Sequence, residues 1–567
     1  GGYAGRYASG SYNTFVGYNA GDGGTTSAPF SSGENNTALG YQALVGFTTA
    51  TRMVAIGYES MHNVTTGADS VAIGYQAAYY DVGTESVSIG SYAGMANGAG
   101  SNVSIGFRAG STSTGGSNTA IGASAIRYLN AGNENTAIGN TAGSYLLGTQ
   151  TTIVGSQAGR FATGSYNTFM GYKAGYGGTT SAPFSSGEDN VAVGYEALTA
   201  FTTGKWNVAV GRGAGDSITT SQGNVLLGYY AGSQVTTGIG NTIIGEQAGS
   251  AHADSGYNTI IGYRTSANGT SGGGSNNAIV GAQAGGQQGT MTGGNNSILG
   301  YGAMAYATST SGNISIGWES GKQLLTGDYN IFMGYSAGGT TTDVDHSVII
   351  GFQAGLGVMT SDADGTIAIG YKAANALTSG RYNTAIGYEA LKVSTARDFN
   401  TAIGYKALTA MSGSADSTAE NTAVGYLAGT ANTTGYRNTF LGAYAGNSLT
   451  TAFQNTLIGV RAGTTLSTGI SNIAIGYGSM YQSTTSNTNI AIGNDAMYYG
   501  NAASSQNVVI GHGAGQRMAN VASTKNVYVG HEAGKNATGS FNTFIGHEAG
   551  EGGTTSAPYS SGQSNTA

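Results

Sequence analysis

The chain has 567 residues, of which 101 are glycine, 3 are proline and none is cysteine; 8% are charged and the formal net charge is −7. Glycine stands far above its usual share of about 7% and charge far below its usual share of about 25%, yet glycine does not recur at every third position, so an ordinary set of globular domains and a collagen triple helix are both excluded. Regularly placed aliphatics exclude disorder, and the scattered Lys and Arg form no basic stripe for nucleic acid. Disulfides and thiolate metal sites have no cysteine to use, and no apolar run approaches the ~18 residues of a membrane span.

The chain is one repeat from its first residue to its last. The unit reads N-T-A-I-G-Y-x-A-G followed by a variable Gly/Ser/Thr-rich stretch, as at Asn135-Thr136-Ala137-Ile138-Gly139 and Asn383-Thr384-Ala385-Ile386-Gly387-Tyr388-Glu389-Ala390. The glycine after the aliphatic serves as an anchor. Anchors run from Gly1, Gly17, Gly40, Gly57 and Gly74 to Gly530 and Gly546, 32 in all, mostly 16 or 17 residues apart. The first residue and the last, Asn565-Thr566-Ala567, both fall inside a repeat, which implies an excerpt of a longer polypeptide.

Each position in the unit has its own requirement. A large aliphatic precedes every anchor (Val16, Leu39, Ile56, Ile73, Met170), and two residues earlier a β-branched residue is the rule (Thr14, Val54, Val71, Thr136, Ile314). These residues favour strands, and alternate residues share a face, so the two columns are expected to point into one core. The residue between them (Phe15, Ala55, Ala72, Phe169, Ile243, Phe332) is expected to face the other way. It is never charged, and a strand apolar on both faces is buried on both, which points to coverage by another layer of the same coil or, in preference, by another chain. The anchors Gly17, Gly74, Gly139 and Gly387 are expected to turn a corner where positive φ or close approach excludes a side chain. Tyr18, Tyr75 and Tyr388 follow anchors and would stack as a ladder. Ala20, Ala77 and Ala390 mark a tight buried corner, and Asn135 with its counterparts Asn13, Asn36, Asn167 and Asn383 would form an amide ladder. Short strands of this kind survive by stacking, coil on coil, into a parallel sheet.

A longer repetition is superimposed. Ser9–Leu44 and Thr163–Leu198 are near copies carrying G-G-T-T-S-A-P-F-S-S-G, and a third copy begins at Thr538. Its inserts span 21–34, 175–188 and 550–563. They hold every proline and a neighbouring ring: Pro29 and Phe30, Pro183 and Phe184, Pro558 and Tyr559. They are expected to bulge as surface loops, where recognition tends to reside.

Asp69-Ser70-Val71-Ala72-Ile73-Gly74 and Ser471-Asn472-Ile473-Ala474-Ile475-Gly476 resemble the S-V-A-I-G repeats of trimeric autotransporter adhesin heads. The longer G-N-N-T-A-I-G-Y-x-A-G form is similar to repeats in phage tail-fibre proteins and some large bacterial surface proteins. The resemblance covers the whole chain. It implies trimers of parallel β-rolls, an adhesive role and a place outside the cell or on a virion. The departures are a longer coil and the tyrosine after the glycine.

Chemistry-bearing clusters are few. His512, His531 and His547 each take the tyrosine position, which reads as imidazole replacing phenol in a stack rather than as a metal site. Asp328, Asp345 and Asp364 each lie six residues before an anchor, and Asp343 and Asp362 eight before. Stacked coils would bring these five carboxylates together, where Ca²⁺ could bridge them. No other cofactor is expected. The sequence thus reads as an all-β, parallel β-roll or β-solenoid of about 32 coils of 16–23 residues, most simply a homotrimer. The expected function is structural: the non-enzymatic shaft of an extracellular or virion fibre, with self-association, a cell-surface glycan or receptor as further partner, and neither nucleic acid nor membrane insertion. A phage tail fibre for host attachment is the alternative. An ice-binding solenoid ranks lower, because its threonines are expected in the core.

Overall fold

A computed structural model describes residues 1–80, 83–128, 132–179, 184–250, 252–267, 274–287, 291–413, 418–500, 503–518, 523–553 and 562–567. Among these residues it is an all-β parallel β-solenoid, whose one helical segment is the single 3₁₀ turn Ser361–Ala363. It comprises two compact units, 1–280 and 281–567. The first carries three-residue strands from Thr14–Val16 to Ala278–Val280, the second from Ser297–Leu299 to Thr543–Ile545.

Within each unit every strand pairs in parallel with the same strand of the neighbouring coil, position for position. Thr384, Ala385 and Ile386 lie against Thr401, Ala402 and Ile403, and Thr242, Ile243 and Ile244 against Thr259, Ile260 and Ile261. This register survives coils of unequal length, because the surplus residues leave the stack between strands. The 23-residue step from Thr14 to Thr37 keeps the pairing Phe15↔Ala38.

Glycine marks the corner for two physical reasons. The strand-following anchors have φ between 128° and 147°, a region that disfavours any side chain. They also stack glycine on glycine: a methyl group on Gly57 would lie 2.5 Å from the carbonyl oxygen of Gly74. Further left-handed stations recur at fixed offsets, such as Glu59 (φ 51°) after Gly57 and Asp69 (φ 59°) before Gly74.

The orientation of the strand is the reverse of the sequence expectation. The central residue points into the coil, and the β-branched and aliphatic residues on either side point out. Ala55, Ala72, Phe169, Ile243 and Phe332 are fully buried, whereas Val16 is 53% exposed and Ile138 38%. The strands accordingly alternate outward, inward, outward, as in Ile331–Met333 and Thr439–Leu441.

Volume explains why the centre must face inward. Inside each coil the central side chain meets the residue four after the anchor. Where the centre is aromatic that residue is glycine: Phe15 with Gly21, Phe169 with Gly175, Phe332 with Gly338, Phe440 with Gly446, Tyr528 with Gly534, and Phe544 with Gly550. A methyl group on any of these glycines would overlap the ring. Where the later residue is leucine the centre is alanine: Ala38 with Leu44, Ala192 with Leu198, Ala385 with Leu391, and Ala402 with Leu408. The four leucines and four alanines are all fully buried. An aromatic ring at the centre leaves no room for a second side chain there, although the smaller pair Ile298 and Met304 shares one coil with both side chains buried.

Candidate functional site

The inner columns are structural. Ala20, Ala77 and Ala390 are fully buried at the corner, as expected, and so are Ser60, Thr265, Ser320 and Ser479, which take the same station. The amide ladder also forms. Asn438 Nδ2 donates to Asn421 Oδ1 (3.1 Å) and to the Ala452 carbonyl (2.9 Å). Its own Oδ1 accepts the backbone N–H and Nδ2–H of Asn455 (3.0 and 3.1 Å). Asn135 bonds in the same way to Asn118 (3.0 Å). Each asparagine is thereby satisfied in a buried column, where an unmet donor or acceptor would be costly.

The outward columns make the candidate interaction surface. Beside the strand flanks runs the tyrosine ladder. Tyr18, Tyr41, Tyr58 and Tyr75 stack with ring centroids 5.5, 5.0 and 5.2 Å apart. Phe352, Tyr371, Tyr388, Tyr405 and Tyr426 do the same at 5.3, 4.8, 5.1 and 5.1 Å. These distances match the spacing of strands in a sheet. Rings stacked this closely hide their faces in one another and present edges and hydroxyls to solvent. The exposed aliphatics Ile73, Met170, Leu299 and Met333 stand next to Tyr75, Tyr172, Tyr301 and Tyr335 in sequence, so each such coil adds a strip of aliphatic and aromatic surface.

The histidines stack as expected: His512 on His531 at 5.2 Å, and His531 on His547 at 5.0 Å. The carboxylates do not assemble as the cation reading requires. Asp328, Asp345 and Asp364 do form a column, but each caps the preceding coil. The backbone N–H groups of Ser311, Asp328 and Asp345 donate to their Oδ1 atoms at 2.6, 2.6 and 2.7 Å. Asp362 instead accepts from Arg381 (3.2 Å) and Asp343 from Thr342 Oγ1 (3.0 Å). Burial, and then the charges of Asp345 and Asp343, push the Asp364 carboxyl up. Among the described residues no group of three or more His, Asp or Glu is placed to hold a metal ion. Three of the five carboxylates expected to bridge a Ca²⁺ thus form a side-chain-to-backbone ladder.

The first proline insert behaves as expected, with Pro29 and Phe30 exposed and Ser31 buried beneath them. In the second copy Phe184 is half-buried and packs on Tyr145 at 4.8 Å. Pro183, Pro558 and Tyr559 lie outside the described residues.

The buried His252 and the half-buried Asp216 were not anticipated. His252 is enclosed, with its ring nitrogens 2.8 Å from Ser255 Oγ and 2.7 Å from Ser266 Oγ, and burial pushes its pKa down to about 4. Burial pushes the Asp216 carboxyl up to about 6. Neither has a charge pattern that sequence alone displays.

No helix among the described residues is long and apolar enough to cross a membrane. Comparison with protein-family models and with curated proteins found no match.

Proposed function

We propose that this chain is a structural fibre protein, the stiff, non-enzymatic shaft of an extracellular or virion filament, in which copies of the chain associate through their outward columns into a homotrimer with an adhesive role. The observation that carries this reading is the outward face itself. Exposed aliphatics such as Val16, Leu39, Ile73, Leu299, Ile314, Leu441 and Ile545 recur along both units. Contiguous apolar surface beyond a few hundred Å² marks an interaction site. Because the columns repeat at the strand spacing, a partner that matches them along their length needs the same period. A second copy of this chain has it. The resemblance to adhesin heads and tail fibres supports three copies and an extracellular or virion location.

Electron cryomicroscopy of the full chain tests this reading. Threefold symmetry with the outward columns at the subunit contacts is expected. A single-chain cross-section at micromolar concentration would remove the interface.

One observation favours a second reading. The threonines of Thr384, Thr401, Thr422, Thr439 and Thr456 face outward in five successive coils, not into the core, so the ground for ranking an ice-binding face low no longer holds. Thermal hysteresis of a dilute solution tests it: a measurable gap between melting and freezing would favour ice binding over the shaft.

A further inference from the structure

The tyrosine ladder is interrupted. After Tyr75 the post-anchor position holds Ser91, Phe107, Ala123, Asn140 and Ser156 before tyrosine returns at Tyr172. At this break the rings turn edge-on, with Tyr75 and Tyr92 inclined at 71° and Tyr92 and Phe107 at 82°. A hollow of about 290 Å³ opens there, lined by Tyr92, Met95, Arg108, Ser111, Arg127 and Tyr128, with Thr112 at its edge.

Two guanidinium groups flank the hollow, and both are held by rings. Arg108 lies 5.1 Å over Phe107 and 5.5 Å over Tyr92, and Arg127 lies 4.7 Å over Tyr128. Both side chains are half-buried. Neither meets a carboxylate or any other side-chain hydrogen-bond partner among the described residues. The neighbouring described carboxylates are engaged elsewhere: Glu85 accepts from Ser101 Oγ (3.2 Å) and Glu134 from Gln150 (2.8 Å). Four other arginines, Arg6, Arg52, Arg381 and Arg437, do pair with carboxylates.

We propose that this hollow is a binding site for one acidic sugar residue, carrying a carboxylate or a sulfate ester. A guanidinium stacked on a ring keeps its N–H edge free, and that edge matches an oxyanion bidentately. Two of them on adjacent coils supply both positive charge and directed donors. Tyr92 and Tyr128 supply apolar surface for a sugar ring. The volume lies near the lower bound for small-molecule pockets, about 300 Å³, which suits a monosaccharide unit and excludes a folded partner. The inference deepens the adhesive half of the proposed function and rests on it, but not on the trimer.

Calorimetric titration of the full chain with glucuronic acid, galactose 6-sulfate, glucose and sodium sulfate tests the site. The two acidic sugars are expected to bind with dissociation constants on the order of 1 mM or tighter, and glucose is expected not to bind. Arg108→Gln and Arg127→Gln should each weaken binding at least about tenfold, Arg108→Lys should lose most of it because the fork is gone, and Arg52→Gln should leave it unchanged. The proposal is overturned if neither acidic sugar binds, if sodium sulfate binds as tightly as the sulfated sugar, or if the arginine variants bind like the parent. Lost sugar binding with threefold symmetry intact would remove this site alone; binding by a monomer would remove the interface alone.

Discussion

The centre of each strand and its two flanks are built from nearly the same residues, yet they live in different solvents. Phe332 is fully buried while Met333, the next residue, is 37% exposed, and Phe440 and Leu441 repeat the contrast at 0% and 45%. Hydrophobicity does not separate the centre from the flank that precedes the glycine, because both are mostly apolar. Correlation does. An aromatic centre is matched by glycine four after the anchor, and a leucine there by an alanine centre, as Phe332 with Gly338 and Ala385 with Leu391 show. The flanks need no such match, because they face outward and have room. A column that must share a fixed volume is an interior column.

Substitutions along the two kinds of column should sharpen this contrast. The largest effect belongs to the corner. Gly387→Val adds a side chain at φ 134° and drives it into the backbone of Gly404. It should cost more than about 4 kcal/mol, visible as lost hydrogen-exchange protection in the adjoining coils. Next, Phe332→Ala should cost about 3–5 kcal/mol by leaving a cavity. Met333→Ala should cost less than about 1 kcal/mol in a dilute monomer and lower the association constant in the oligomer. Equal costs at both positions would break the comparison.

The amide spine comes third. Asn438→Ala leaves the Asn455 backbone N–H and the Ala452 carbonyl without their side-chain partner in a buried column, and should cost about 2–3 kcal/mol in thermal unfolding. Serine occupies the same station at Ser70 and Ser86, where Ser70 Oγ accepts the Ser86 backbone N–H (3.1 Å), so Asn438→Ser should recover part of the loss.

Acid gives a fourth test. His252 is neutral when folded, with a pKa lowered from 6.5 to about 4. Between those values the unfolded chain binds a proton that the folded one does not, so stability falls as pH drops from 6.5 to 4, by up to about 3 kcal/mol. His252→Gln should remove that part of the acid sensitivity. Asp216 acts in the opposite sense: its raised pKa means that stability rises as pH falls through about 6.

Much of this fold was legible in the residues. Period, parallel register, glycine corner, buried alanine, asparagine spine and aromatic stacking follow from what stands at each station, because stacking identical coils places like on like. The strand orientation was misread because the flanks carry the larger aliphatics, and size was taken for burial. The signal that corrects it, Phe with Gly and Ala with Leu six residues on, was present but lies between positions rather than at one. The carboxylate column of Asp328, Asp345 and Asp364 is legible from spacing, but the backbone N–H of the neighbouring coil that each Oδ1 accepts is not. The arginine hollow lay beyond sequence reasoning, because it arises where a ladder stops.

The inward orientation of the strand centre carries the whole account, and a double-mutant cycle on Phe332 and Gly338 tests it most directly. Phe332→Ala and Gly338→Leu are each expected to destabilise the chain, the first by a cavity and the second by overpacking. Together they recreate the Ala385–Leu391 arrangement, and the double variant should regain most of the lost stability, with a coupling energy of at least about 2 kcal/mol. Additive losses would mean that the two side chains do not share one interior, and that the strand centre faces elsewhere.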